Sequence, residues 1–136
     1  MGLFSANDRP QADIQTRRGH YMGTEIGEVW YRRYREDGFF ARGNGEYYLT
    51  PDALHFRRYL TKQELVIPFD QVTEIKLGKW HSGQWAAFRT VLKIVWKRGN
   101  LVLSSGFILS RTEMETQALK TQLSDLAASA RRVNVH

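Results

Sequence analysis

The residues whose type most readily serves acid–base or metal chemistry near neutral pH are four histidines, at positions 20, 55, 81 and 136. No two of them stand at a metal-ligand spacing. The absence of cysteine excludes disulfides, thiolate metal sites and thiol nucleophiles. His55 alternates outward on an expected strand, and His136 is the last residue, which leaves His81. It lies in GKWHSGQWAAFRT (78–90), between Trp80 and Trp85 and near the cations Lys79 and Arg89. These side chains could line a pocket in which a cation fixes an anion. Tryptophans in such a segment could equally cover an exposed end of the core. Catalysis by His81 would need an orienting carboxylate and a cleft; Asp70 and Glu74 are candidates, but nothing in the spacing requires them to meet it. Gly43 and Gly45 form no phosphate loop, because neither GxGxxG nor GxxxxGK[ST] is present. The chain is therefore read as non-catalytic, with no metal and no cofactor.

The charge points the same way, towards binding. Lys and Arg exceed Asp and Glu by 20 to 14, a net charge of +6. Residues 1–45 carry seven basic and six acidic groups, residues 46–110 nine and five, and residues 111–136 four and three. The excess thus sits at Arg57, Arg58, Lys62, Lys76, Lys79, Arg89, Lys93, Lys97 and Arg98. A basic bias of this size serves solubility, or forms a patch for anionic lipid head groups, nucleic acid or an acidic protein.

The elements that must carry these residues are mostly strands. At 136 residues, with 42% hydrophobic and 25% charged side chains, the chain has the size and composition of one globular domain. Residues 1–25 are polar and include Pro10 and Arg17-Arg18, which reads as a loosely ordered N-terminal arm. Residues 26–36 (IGEVWYRRYRE) suit a strand or extended edge segment, although they also permit a short helix with Trp30 and Tyr34 at i, i+4, and Asn44-Gly45 marks a turn. Four short strands then follow at 46–50, 54–58, 64–68 and 72–77. They place Tyr47, Leu49, Leu54, Phe56, Leu65, Ile67, Ile75 and Leu77 on the inner faces. Residues 78–90 break the alternation and read as a long loop. A hairpin at 91–97 and 101–108 puts Leu92, Ile94 and Trp96 on one face, and Lys93 and Lys97 on the other. Ser110-x-x-Glu113 has the capping-box pattern, opening a helix to about residue 130 with a stripe of Leu119, Leu123, Leu126, Ala127 and Ala130. Residues 131–136 are read as a frayed tail, leaving 26–130 as a single domain.

About seven antiparallel strands closed by one C-terminal amphipathic helix resemble the pleckstrin-homology-like superfold, a bent sheet pair or partly open barrel. The resemblance is to its GRAM and bacterial PH-like branches. Gly45, Tyr47, Leu49, Thr50, Leu54 and Phe56 match an opening G-x-L-x-L-T-x-x-x-L-x-F pattern. Ile67, Pro68, Val72 and Ile75 match its I-P-x-x-x-I-x-x-I continuation. The resemblance implies a binding or scaffold module. Its lipid-binding members carry clustered basic residues in the first inter-strand loop, whereas the loop after Leu49 is T-P-D-A. Phosphoinositide recognition at that loop is not implied. The closing-helix stripe also has leucines where the family commonly has an aromatic residue.

The expected function is contact with a protein partner or an anionic membrane surface, through the basic sheet face and the 78–90 segment. Lys79, Trp80, His81, Trp85, Arg89, Lys93 and Lys97 are the candidate contact residues. Nucleic-acid binding through the basic and aromatic residues is the alternative. No apolar run approaches the roughly 20 residues of a membrane span, and MGLFSANDRP lacks the pattern of a signal peptide. A cytoplasmic protein, peripheral to the membrane at most, is expected. Myristoylation is not, since Ala6 stands where that motif has Ser or Thr. Exposed sheet edges make homo-oligomerisation a further expectation.

Overall fold

The structure, a computed structural model, describes residues 15–39, 41–61 and 63–133. Its strands are β1 (Arg17–Ile26), β2 (Val29–Arg33), β3 (Gly43–Leu49), β4 (Ala53–Arg58), β5 (Leu65–Pro68), β6 (Val72–Gly78), β7 (Trp80–His81), β8 (Gln84–Trp85), β9 (Val91–Arg98) and β10 (Leu101–Ile108). They are followed by helix α1 (Glu113–Val133). The main sheet runs β5-β4-β3-β1-β10-β9-β6, with β2 paired to β1 beside this path, and β7 pairs only with β8. Every pairing is antiparallel.

Strand β1 corrects the reading of residues 1–25 as a loose arm, because its ten residues lie in the middle of the sheet between β3 and β10. The physical reason is a β-bulge. Gly106 pairs with Gly23 and Phe107 with Tyr21, so Met22 is an extra residue on β1. Tyr21 and Thr24 consequently both face the core although they are three apart, and the period-2 pattern disappears from the sequence. Residues 1–14 of the expected arm lie outside the described residues. At the other end α1 runs on through Arg131 and Arg132 to Val133, three residues into the expected tail. Positions 134–136 are again outside the described residues.

The inner face holds Leu54, Phe56, Leu65, Ile67, Ile75, Leu92, Ile94, Trp96, Leu103 and Phe107 in one core. The sheet coils strongly, because its two end strands, β5 and β6, are joined only by the one-turn 3-10 segment Phe69–Gln71. They approach without pairing, so the barrel stays open. Helix α1 fills the opening with Leu119, Leu123 and Ala127, packing on the 3-10 segment and β6. Near its far end the Arg131 guanidinium donates to the Val72 carbonyl. Its first turn is capped two residues later than expected: the Thr112 hydroxyl, not Ser110, accepts the Glu115 amide at 3.1 Å.

One buried hydrogen-bond chain crosses the core. Trp96 Nε1 donates to Ser105 Oγ at 3.0 Å, Ser105 Oγ lies 2.7 Å from Thr24 Oγ1, and Thr24 Oγ1 lies 2.6 Å from the Tyr21 hydroxyl. That hydroxyl donates to the Phe39 carbonyl at 3.1 Å. An indole N–H only donates and a carbonyl only accepts, so every hydroxyl between them has its direction set. Burial pushes the Tyr21 phenol far above its usual range, so it keeps its proton.

Candidate functional site

The 78–90 segment is more ordered than a long loop, and contacts to Gly23, Glu25 and Arg42 pin it. Ser82 and Gly83 both have positive φ (52° and 81°), the sign pattern of a type I′ turn, and they reverse the chain from β7 into β8. The hairpin lies on the outer face of the sheet. His81 Nε2 donates to the Gly23 carbonyl at 3.0 Å, and the Ser82 amide donates to Glu25 Oε2 at 2.7 Å. Arg42 Nη2 donates to the Ser82 carbonyl at 2.6 Å. Ala86 is buried beside Met22 and Val91 in a second, smaller apolar cluster. Gly106 makes room for the imidazole, since a Cβ there would lie 2.4 Å from His81 Cδ2.

His81 is thus a fully buried neutral ring. The carbonyl partner of Nε2 assigns its proton to that nitrogen, and Nδ1 faces Glu25 Oε2 at 3.7 Å without a hydrogen bond among the described residues. Burial lowers the His81 pKa below its ordinary value; the Glu25 carboxylate opposes this and the Lys93 ammonium adds to it. A histidine buried in its neutral form contributes stability that is fully present above pH about 6.5 and is lost as the pH falls towards its depressed folded-state value. Urea midpoints should therefore fall between pH 7 and pH 5, and fall less in His81→Gln. Equal acid sensitivity in the two proteins would discharge His81 from this role.

A second type I′ hairpin stands beside the first. Gly27 and Glu28 have φ of 64° and 59° and turn β1 into β2. Between the two hairpins is a cavity of about 550 Å³. Glu25, Glu28 and Trp30 line it from the β1–β2 side, and Trp80, His81, Ser82 and Gly83 from the β7–β8 side. Lys76, Lys93 and Ser104 of the sheet complete the lining. Trp30 also lies over Gly83, where a Cβ would come within 3.3 Å of the ring.

The exposed rings here form two groups, one on β2 and one spanning β7, β8 and Phe88, and Trp30 and Trp80 belong both to these groups and to the cavity lining. Trp30 packs edge-on to Tyr31 (centroids 5.3 Å apart), Trp80 lies 6.4 Å from Trp85, and Trp85 lies 5.3 Å from Phe88. Phe88 is 89% exposed and, like Ala87, has positive φ. A bulky side chain seldom adopts this conformation, which costs on the order of 1 kcal/mol.

The candidate residues from the sequence divide accordingly. Trp80, His81 and Lys93 meet at the cavity. Trp85 belongs to the ring group of β7, β8 and Phe88. Lys79 turns to Thr90 Oγ1 at 3.1 Å, and Arg89 lines a different depression with Arg18, Asn44 and Arg111. Lys97 is exposed near the far end of β9, opposite Val102. The seven residues do not form one site.

A family described as bacterial PH domain-like matches residues 3–123. The chain belongs to that family. It is the bacterial of the two branches that the motifs resemble. No curated protein matches the chain. Among solved structures, the C-terminal domain of an unknown protein from Leishmania infantum is similar at 16% identity and a TM-score of 0.46, over 90% of this chain and 95% of that one.

In this PH-like domain sequence reasoning missed Glu25, Glu28, Trp30 and Lys76 at the cavity. Glu25 was inside the presumed arm, and the others approach β7–β8 only through the sheet order. It also missed a hydroxyl–imidazole–carboxylate chain at the β3–β4 turn. Thr50 Oγ1 is 3.3 Å from His55 Nε2, and His55 Nδ1 is 3.0 Å from Glu64 Oε1. The His55 ring also stacks on Tyr48, with centroids 4.5 Å apart. The Thr50 hydroxyl accepts the Ala53 amide at 3.1 Å, so this chain braces the T-P-D-A turn. No group of three or more His, Asp or Glu among the described residues is placed to hold a metal ion, and no helix there is long and apolar enough to cross a membrane.

Proposed function

We propose that this PH-like domain is a non-catalytic module that docks on an anionic membrane surface through the exposed aromatic side chains of its two outer hairpins and of the segment after β8. The observation that carries the reading is the exposure of five aromatic rings, Tyr31, Trp30, Trp80, Trp85 and Phe88. Tryptophan and tyrosine present an apolar body with a polar edge, which suits them to the head-group layer. Phe88, held outward by its backbone, is the ring best placed to enter it. Arg32, Lys79 and Arg89 are neighbours in sequence of Tyr31, Trp80 and Phe88, and each cation near an anionic surface adds about 1 kcal/mol of attraction. The T-P-D-A turn, with no basic residue, is not part of this surface.

Sedimentation with vesicles of phosphatidylcholine, with and without phosphatidylserine, tests the proposal. Binding is expected to require phosphatidylserine, to weaken with salt, and to fall at least about tenfold in a Trp85→Ser, Phe88→Ser double variant. No sedimentation at low salt would overturn the membrane reading in favour of a protein partner. A mobility shift with a single-stranded oligonucleotide, in place of vesicle binding, would overturn it in favour of nucleic acid.

A further inference from the structure

Lys93 on β9 stands directly opposite Lys76 on β6. Two ammonium groups so paired across antiparallel strands repel each other. Lys76 is compensated, with Glu28 Oε1 at 2.6 Å and Glu74 Oε1 at 3.8 Å. The remaining carboxylate of the cavity, Glu25, accepts the Ser82 amide. Lys93 is half-buried in the same cavity, and among the described residues it has neither a hydrogen bond nor an ion pair. A partly desolvated cation left in this way is unfavourable, and an anion brought into the cavity would relieve it.

The walls state what else the anion must carry. Trp30 and Trp80 line the cavity and offer flat apolar faces. Its volume of about 550 Å³ is that of a site for a small organic molecule. We propose that the cavity between the two hairpins binds a small amphipathic anion. Its carboxylate or phosphate meets the Lys93 ammonium, and its flat apolar body lies against Trp30 and Trp80. Lys76 sets the polarity of the site without contributing a free charge, because Glu28 already holds it. The inference does not rest on membrane docking: Trp30 and Trp80 serve both readings, but Trp85 and Phe88 do not line the cavity and Lys93 is not among the proposed membrane contacts.

The test uses two dyes of nearly the same shape. 1-Anilinonaphthalene-8-sulfonate carries an anionic group, and N-phenyl-1-naphthylamine has the same rings without it. Wild-type protein should bind the sulfonate at one saturable site, about tenfold or more tighter than the neutral dye. Lys93→Met should erase this preference, Lys93→Arg should keep it, and Trp80→Ala should weaken both dyes. Each variant is first shown to melt cooperatively, which separates loss of the site from loss of the fold. Displacement of the sulfonate by indole-3-acetate would assign the site to a free carboxylate. Displacement by dioctanoyl phosphatidic acid alone would assign it to a lipid head group, and either result supports the proposal. Equal affinity for the two dyes, or unchanged sulfonate binding in Lys93→Met, would overturn it. The Trp85→Ser, Phe88→Ser variant should bind the dyes as wild type does, so failure of the membrane reading leaves this result intact.

Discussion

Gly45→Ala is expected to destabilise the protein by about 3 kcal/mol or more, the upper end for forcing extra volume into a packed region. Gly45 pairs with Arg58, and a Cβ on it would lie 2.1 Å from the Arg57 carbonyl oxygen and 2.8 Å from the carbonyl carbon. The obstacle is the backbone of the neighbouring strand, so no rotamer change can clear it. Strands β3 and β4 must separate locally, and with them the pairs that place Tyr47 and Phe56 in the core. A melting temperature lower by about 10 °C or more is the expected reading. Gly27→Ala is the contrasting control. Its φ is +64°, but nothing lies within 4 Å of the added carbon, so only the conformational cost of about 1 kcal/mol applies. Equal melting temperatures for the two variants would refute the steric argument.

The second large effect is expected from Trp96→Ala, at about 4 kcal/mol. The indole is among the largest fully buried side chains, packs 5.6 Å from Phe39 ring to ring, and starts the hydrogen-bond chain through Ser105, Thr24 and Tyr21. Its removal leaves a cavity and takes away the donor that orients the Ser105 hydroxyl. Trp96→Phe keeps most of the ring and drops the N–H, and should cost about 1–2 kcal/mol for the lost donor and reduced volume. Chemical denaturation of both variants separates volume from hydrogen bonding. A near-equal loss in the two would mean that the chain through Ser105 carries the larger share.

Much of the fold was legible because local alternation and core position coincide in several strands. Leu54 with Phe56, Leu65 with Ile67, and Leu92, Ile94 and Trp96 keep strict period 2 between recognisable turns. The leucine stripe of α1 is equally direct. Strand β1 was not legible, since the bulge at Met22 resets the alternation and two glycines dilute it. The helix start was ambiguous for a simple reason. Ser110-x-x-Glu113 and Thr112-x-x-Glu115 both satisfy the capping pattern, and only the chain's approach to the sheet selects the second. The site was half legible. The tryptophans and His81 stood out by type, but what holds them is remote in sequence: Gly23 for His81, Glu25 and Arg42 for Ser82. Ser82 itself takes a left-handed conformation that serine does not announce.

The central position of β1 has a consequence for how the chain becomes a folded object. β1 can find β3 early, but its other edge pairs with β10, as in Ile26 with Leu103 and His20 with Ile108. Until β10 is available, that edge presents unpaired backbone groups to whatever strand is nearby. During synthesis the pairing of β1 cannot be completed until β10, nearly the last strand, has been made. Such long-range closure predicts slow refolding with a window for aggregation. Shortening that wait, for example by moving the termini to the β5–β6 junction, would change the speed of folding more than its outcome.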